Sequence, residues 1–285
     1  MTDPILNDVS DTALWVAVYR AWETARPDAL FHDPFAARLA GDRGKNIEKQ
    51  MIDSRYVSWS VVIRTCIIDS YFEKLIAEGV DTVVNLGCGL DSRPYRMKLP
   101  ENLRWIEIDF PHMIRHKEER LAGETPVCGL ERIGLDLSKE KERRELFAKI
   151  NSEARKAVVL TEGVIPYLSE QDVAALTDDL RAQSHFQFWI ADYNSPDLMK
   201  YLNRPSRVKS MRNAPFLFQP SDYYGLFASH GWKQREIRYI GEESEKLGRP
   251  PPHTWFVKLM QALFLSKEKQ ALFKRYNGYV IFEPA

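Results

Sequence analysis

The sequence predicts an α/β fold built on a mainly parallel sheet, and three observations carry that prediction. Short apolar runs alternate with helical stretches at βαβ spacing between Asp81 and Asp192. A glycine pair, Gly87 and Gly89, falls directly after the first of those runs. An aspartate, Asp109, closes the second run about 20 residues further on, the spacing of a nucleoside-binding unit.

Taken in order, the first 50 or so residues are polar-aromatic and read as helical, ending in a loop around Gly41 and Gly44. A long helix follows from Asp53 to Glu78, with apolar positions at Val57, Val61, Ile68, Phe72 and Leu75. Val83 to Leu86 forms the first strand and runs into the glycine turn. Arg104 to Asp109 reads as the second strand and Ile133 to Leu137 as the third, each followed by a charged helix. Ala157 to Gly163 is the fourth strand, and Ser169 with Asp172 three residues on is a capping-box start for the next helix. Phe186 to Asp192 is the fifth. The alternation then lapses: Ser195 to Pro220 and Gly241 to Tyr276 read as helical caps, while Trp232 to Ile240 and Gly278 to Phe282 read as closing strands. The expected layout is one domain over residues 1–285. It comprises a helical extension (1–52), a cofactor-binding core (53–194) and a region of caps and closing strands (195–285).

Composition excludes several classes. With 40 basic and 40 acidic residues the formal net charge is zero, so nucleic acid is not an expected partner. The apolar stretches Val61–Ile68 and Phe256–Leu265 are interrupted by Arg64 and Lys258, well short of the roughly 20 apolar residues that cross a bilayer. The opening MTDPILNDVS lacks the basic and apolar regions of a signal peptide. Cys66, Cys88 and Cys128 are odd in number, widely spaced and without a zinc pattern, so reduced thiols in a cytoplasm are expected.

Ligands of an open parallel sheet bind beyond the carboxyl ends of its strands, and the candidate site residues follow from that rule. Gly87, Cys88 and Gly89 form a turn at which backbone can approach a ligand closely. Asp109 is placed to accept both hydroxyls of a ribose. The third glycine of a dinucleotide fingerprint is replaced by Ser92, which weakens a nucleotide-dependent oxidoreductase reading. S-adenosylmethionine, with ribose and adenine but no phosphate, suits the pattern better. Arg64 lies in an otherwise apolar helical stripe, where a guanidinium is costly unless an anion meets it. Such an anion can be a protein acid such as Asp91, or the side chain can snorkel to solvent instead. His112 and His116 stand four apart but Met113 follows the first, so no zinc helix is matched and no metal is expected. The aromatic tail residues Trp255, Phe256, Phe264 and Phe273 read as core, or as the roof of an acceptor cavity.

Four segments in register make the pattern specific: VVNLGCGLDSRPYR, EIDFP (Glu107 to Pro111), LDL (Leu135 to Leu137) and TEGVIPYL (Thr161 to Leu168). Together they resemble the leucine carboxyl methyltransferase family. The stretch Ala13 to Ala36 is closer to its bacterial branch, the tetracenomycin-type polyketide O-methyltransferases. The resemblance spans roughly Thr12 to Tyr193 and implies a class I methyltransferase Rossmann-like sheet with S-adenosylmethionine as methyl donor. It implies that Gly87 and Gly89 line the methionine and ribose part, that Asp109 holds the ribose, and that Asp136 and the Leu137 backbone meet the adenine. It also implies that Glu162 faces the methionine ammonium and Arg64 the methionine carboxylate. The phosphatase-modifying branch adds an N-terminal lysine; Val16 stands there in this sequence, with Arg20 nearby.

Methyl transfer from a sulfonium chiefly requires alignment of donor and acceptor. A carboxylate acceptor, with pKa of about 4, arrives ionised, whereas a phenol at about 10 benefits from a base. No histidine follows a strand end, which favours a carboxylate of a small molecule over a hydroxyl. Tyr167, Tyr193 and Asn194 are the acceptor-side candidates. A non-catalytic S-adenosylmethionine-binding protein is a further alternative.

Overall fold

The computed structural model describes residues 6, 8–51, 54–204, 212–252 and 266–285. Its strands are β1 (Thr82–Leu86), β2 (Arg104–Asp109), β3 (Gly129–Gly134), β4 (Ala157–Thr161), β5 (Phe186–Asn194), β6 (Trp232–Tyr239) and β7 (Asn277–Pro284). They form one sheet in the order β3-β2-β1-β4-β5-β7-β6. The first five pair in parallel, and β7 inserts antiparallel between β5 and β6. This is the Rossmann-like, mainly parallel α/β architecture that the alternation predicts.

Strand alternation divides the core between the two faces. Val84, Ile106, Val159 and Trp189 face one side, against Phe147 and Ile150 of α6 (Glu140–Glu153) and Leu176 and Leu180 of α7 (Glu170–Arg181). Their neighbours Val83, Trp105, Val158 and Ile190 face the other side, against Ile67, Tyr71, Phe72 and Leu75 of α3 (Ser54–Ala77). Each such side chain contributes about 1.5–3 kcal/mol on burial. A parallel sheet buried on both faces requires continuous apolar strands, as β1 and β4 are. Burying both faces also confines open polar space to the strand ends.

The N-terminal helices α1 (Asp11–Thr24) and α2 (Ala36–Glu48) pack on each other and on Val61, in the first half of α3, as a separate apolar cluster. Gly41, expected to lie in a terminating loop, is instead a kink inside α2 at φ 58°. The predicted start of α3 at Asp53 lies outside the described residues. The capping box at Ser169 is present: its side chain accepts from the Asp172 N–H, and Asp172 reciprocates. Such a cap contributes about 1 kcal/mol.

Two expectations are corrected. The third strand runs from Gly129 to Gly134 rather than from Ile133 to Leu137, and the Leu135 N–H makes the last rung of the β2–β3 ladder, to the Asp109 carbonyl at 2.8 Å. Asp136 then accepts from the Ser138 N–H and hydroxyl at 3.0 and 2.8 Å, closing a turn toward α6. Phe273, on α11 (Lys267–Lys274), is exposed rather than core. Trp255, Phe256 and Phe264 lie outside the described residues. All three cysteines are free, and no described helix is long and apolar enough to cross a membrane.

Candidate functional site

A cavity of about 560 Å³ opens at the carboxyl ends of β1, β2, β4 and β5, within the range of small-molecule sites, roughly 300–1,000 Å³. Its floor is the glycine turn. Gly87 has φ 62° and Gly89 φ 47°, a backbone region that favours glycine. A Cβ on Gly87 would come within 2.5 Å of Val164, so this position is closed to side chains on steric grounds as well. The Gly87 and Cys88 N–H groups donate to the Ile108 carbonyl at 2.8 and 3.2 Å, stitching the turn to β2. Asp109 completes the corner. One of its oxygens accepts from the Gly89 N–H and the other from the Phe110 N–H, both at 2.7 Å. Burial nevertheless raises its pKa, those two hydrogen bonds acting in the opposite direction.

Asp136 and Leu137 line the cavity from the turn after β3. The Leu137 carbonyl accepts from Arg143 at 2.6 Å, while its N–H has no partner among the described residues.

At the opposite end stand Arg64 and Glu162. Arg64 Nε is 3.0 Å from Glu162 Oε1, but misaligned, and among the described residues the guanidinium donates no hydrogen bond. The other oxygen of Glu162 accepts from Arg93 Nη1 at 2.9 Å. The sequence alternatives for Arg64 are thereby narrowed: its protein partner is Glu162, while Asp91 pairs with Arg93 at 2.7 Å. Burial works against the Arg64 charge, but Tyr279, Glu162 and Asp192 hold its pKa up.

Tyr167 and Asn194 line the cavity. Burial pushes the Tyr167 phenol up to about 12, and its ring stacks on Phe216 with centroids 5.2 Å apart. Tyr193 does not line it. Alternate residues of a strand point to opposite faces, so Tyr193 turns away from Asp192 and Asn194 to pack with Tyr223, Tyr224 and Tyr239. It is withdrawn from the acceptor-side set.

Asp192 and Tyr279 belong to the candidate site, and the sequence reading does not include them. Both are buried and both line the cavity. They are directly opposed in the β5–β7 register, and the Tyr279 hydroxyl donates to Asp192 Oδ1 at 2.7 Å. Asp192 also accepts from the Gly163 N–H at 2.9 Å. Burial raises its pKa to about 6 against the Tyr279 hydrogen bond and the Arg64 charge. Asp192 closes the fifth strand as the sequence predicts it, as Asp109 closes the second, and that signal could have found it. Tyr279 carries no such signal, because its partner is 87 residues away.

Other candidates resolve simply. Arg20 donates to Asp33 at 2.8 Å and to the Leu90 carbonyl at 2.6 Å, bracing the glycine turn, while Val16 lines the cavity. His112 contacts Ser10 and His116 contacts the Leu39 carbonyl, each at 3.2 Å. Among the described residues no acidic, histidine and cysteine cluster could hold a metal.

Comparison with known proteins bears on the family and the fold. The leucine carboxyl methyltransferase family matches residues 13–181. The chain is 30% identical over 249 residues to a protein of Streptomyces avermitilis, covering 84% of this chain and 88% of the relative. It is 32% identical over 275 residues to one of Mycolicibacterium paratuberculosis, covering 86% and 85%. Both are named "Putative S-adenosyl-L-methionine-dependent methyltransferase". The crystal structure of a DUF574 family protein from Streptomyces avermitilis superposes with a TM-score of 0.56 at 12% identity, over 94% of this chain and 97% of that one. That likeness bears on the fold alone.

Proposed function

The chain belongs to the leucine carboxyl methyltransferase family and is an S-adenosylmethionine-dependent methyltransferase; from that premise we propose that it methylates a carboxylate oxygen of a small, largely apolar molecule. The nucleotide-dependent oxidoreductase alternative falls away with the family match.

The residues present fit the donor. The turn through Gly87, Cys88 and Gly89 brings side-chain-free backbone to the cavity wall, where the thioether and ribose can approach it closely. Asp109, braced by two backbone N–H groups, is preorganised to accept from ribose hydroxyls. The unpartnered Leu137 N–H can donate to an adenine ring nitrogen, and Asp136 can accept from its amino group. Arg64, which lines the cavity and donates no hydrogen bond among the described residues, suits the methionine carboxylate, and Glu162 the ammonium. When bound, the donor supplies a methyl group already activated on a sulfonium. Arg64, Arg93 and Arg96 face Asp69, Asp91, Glu162 and Asp192, and the surplus acid complements that cation. Enclosure by Val57, Leu198 and Phe216 excludes water and orients the acceptor, with Tyr167 and Asn194 as its polar contacts.

One observation supports a carboxylate most directly: among the described residues no histidine or lysine lines the cavity, and Asp192 and Glu162 already accept from protein donors. An acceptor that arrives ionised needs no base. A hydroxyl acceptor is the second reading, favoured by Asp192, whose raised pKa of about 6 suits proton abstraction near neutrality. Incubating the protein and donor with paired carboxylic acids and phenols of matched apolar shape tests the assignment. A mass gain of one methylene on the acids supports it; turnover of phenols alone transfers the assignment to the second reading. Binding of the donor without turnover of any acceptor in a broad panel would favour a non-catalytic protein.

A further inference from the structure

Behind the glycine turn lies an ionic cluster that makes no use of the acceptor. Arg93, on the four-residue α4 (Arg93–Arg96), is 2% exposed. Its Nε donates to Asp69 Oδ1 on α3 at 2.7 Å. Its Nη1 donates to Asp91 at 2.7 Å and to Glu162, at the end of β4, at 2.9 Å. Arg96 grips both oxygens of the same Asp69 at 2.7 and 2.9 Å, and Asn85 donates to Asp91 at 2.9 Å.

A buried guanidinium is costly, and three carboxylates from three separate elements offset that cost. Their planar, directional hydrogen bonds also fix geometry, which a flexible ammonium would do poorly. Glu162 is consequently held at one oxygen, with the other left toward the cavity and Arg64. Asp69 lies on the same helix as Arg64, so its grip pins that helix against the glycine turn. Through Asp69 and Glu162, Arg93 thus connects both charged groups assigned above to the amino-acid end of the donor, whereas it makes no bond to Asp109, Asp136 or Leu137, assigned to its nucleoside.

We propose that Arg93 is a positioning residue for that end: by bonding Asp69, Asp91 and Glu162 together it holds Glu162 and the Arg64 helix in the arrangement that receives the donor's ammonium and carboxylate. The proposal rests on the reading that Glu162 and Arg64 meet this part of the ligand.

Two ligands separate the roles. S-adenosylhomocysteine carries the amino-acid end, whereas 5′-methylthioadenosine shares the nucleoside and thioether but lacks it. Both are titrated calorimetrically into the full-length protein and its Arg93→Lys variant, with Asp69→Asn as a second, milder disruption of the same cluster. The variants are expected to lose about tenfold or more in affinity for S-adenosylhomocysteine, and to stay within about twofold for methylthioadenosine. Equal losses on both ligands would mark Arg93 as merely structural, and unchanged affinities would remove it from the site; either result overturns the proposal. If the unsubstituted protein binds both ligands equally well, the assignment of Arg64 and Glu162 fails first, and the proposal fails with it.

Discussion

Removing the Arg64 side chain separates its two remaining explanations. Its Nε is 3.0 Å from Glu162 without hydrogen-bond alignment, and Glu162 retains Arg93 at 2.9 Å when Arg64 is gone. Arg64→Ala therefore leaves no acid stranded, and the folding cost stays below the roughly 3–5 kcal/mol of breaking a buried pair whose partner is left alone. For the donor the account differs. Two charge-assisted hydrogen bonds to a carboxylate contribute about 1.5 kcal/mol each, so binding weakens by about 3 kcal/mol, roughly a hundredfold. Calorimetric titration with S-adenosylhomocysteine, alongside thermal melting, reads both quantities. The expected result is a folded protein, a few degrees less stable, with affinity down by about two orders of magnitude. A folded variant with unchanged affinity would refute the assignment. A variant that loses more than about 4 kcal/mol of stability would show that Arg64 serves chiefly the internal ion pair.

Gly87→Ala combines left-handed backbone strain of about 1–2 kcal/mol with a contact to Val164 at 2.5 Å, whereas Gly163→Ala, also at positive φ, meets nothing within 4 Å. Chemical denaturation should show the Gly87 variant the more destabilised of the two, and equal losses would mean the turn relaxes freely. Asp192 has a folded-state pKa of about 6, above its ordinary 3.8, so the folded protein binds the extra proton. Its contribution is fully present below about pH 4 and is lost as pH rises through 6, an amount on the order of 3 kcal/mol. Asp192→Asn should flatten stability between those values, and an unchanged profile would contradict the burial argument. Lys117 and Glu107 are fully buried and 2.7 Å apart, with Arg132 also on Glu107 at 2.9 Å. Lys117→Met should cost about 3 kcal/mol in urea unfolding, and a neutral result would show that Arg132 alone satisfies the acid.

How much of this was legible in the chain depends on the range of the interactions involved. The strands β1, β2, β4 and β5, the glycine turn, Asp109 and the Ser169 cap are short-range features. Apolar alternation, positive-φ demands and side-chain-to-backbone bonds act within a few residues, so the sequence displays them directly. The third strand was placed four residues late at its start and three at its end, because the half-exposed run GLERIG carries Glu131 and Arg132 in place of a continuous apolar pattern, and the Asp136 turn to Ser138 closes it early.

The sequence by itself determined the sheet, the family and the corner where a nucleoside can lie, since each follows from residues close together in the chain. Tertiary structure alone decided which side chains share the cavity. It turned Tyr193 outward, opposed Asp192 to Tyr279, and gathered Asp69, Asp91 and Glu162 around Arg93. Those meetings depend on strand register and helix docking across tens of residues, where many pairings satisfy the same local preferences. Only the packing of both sheet faces selects among them.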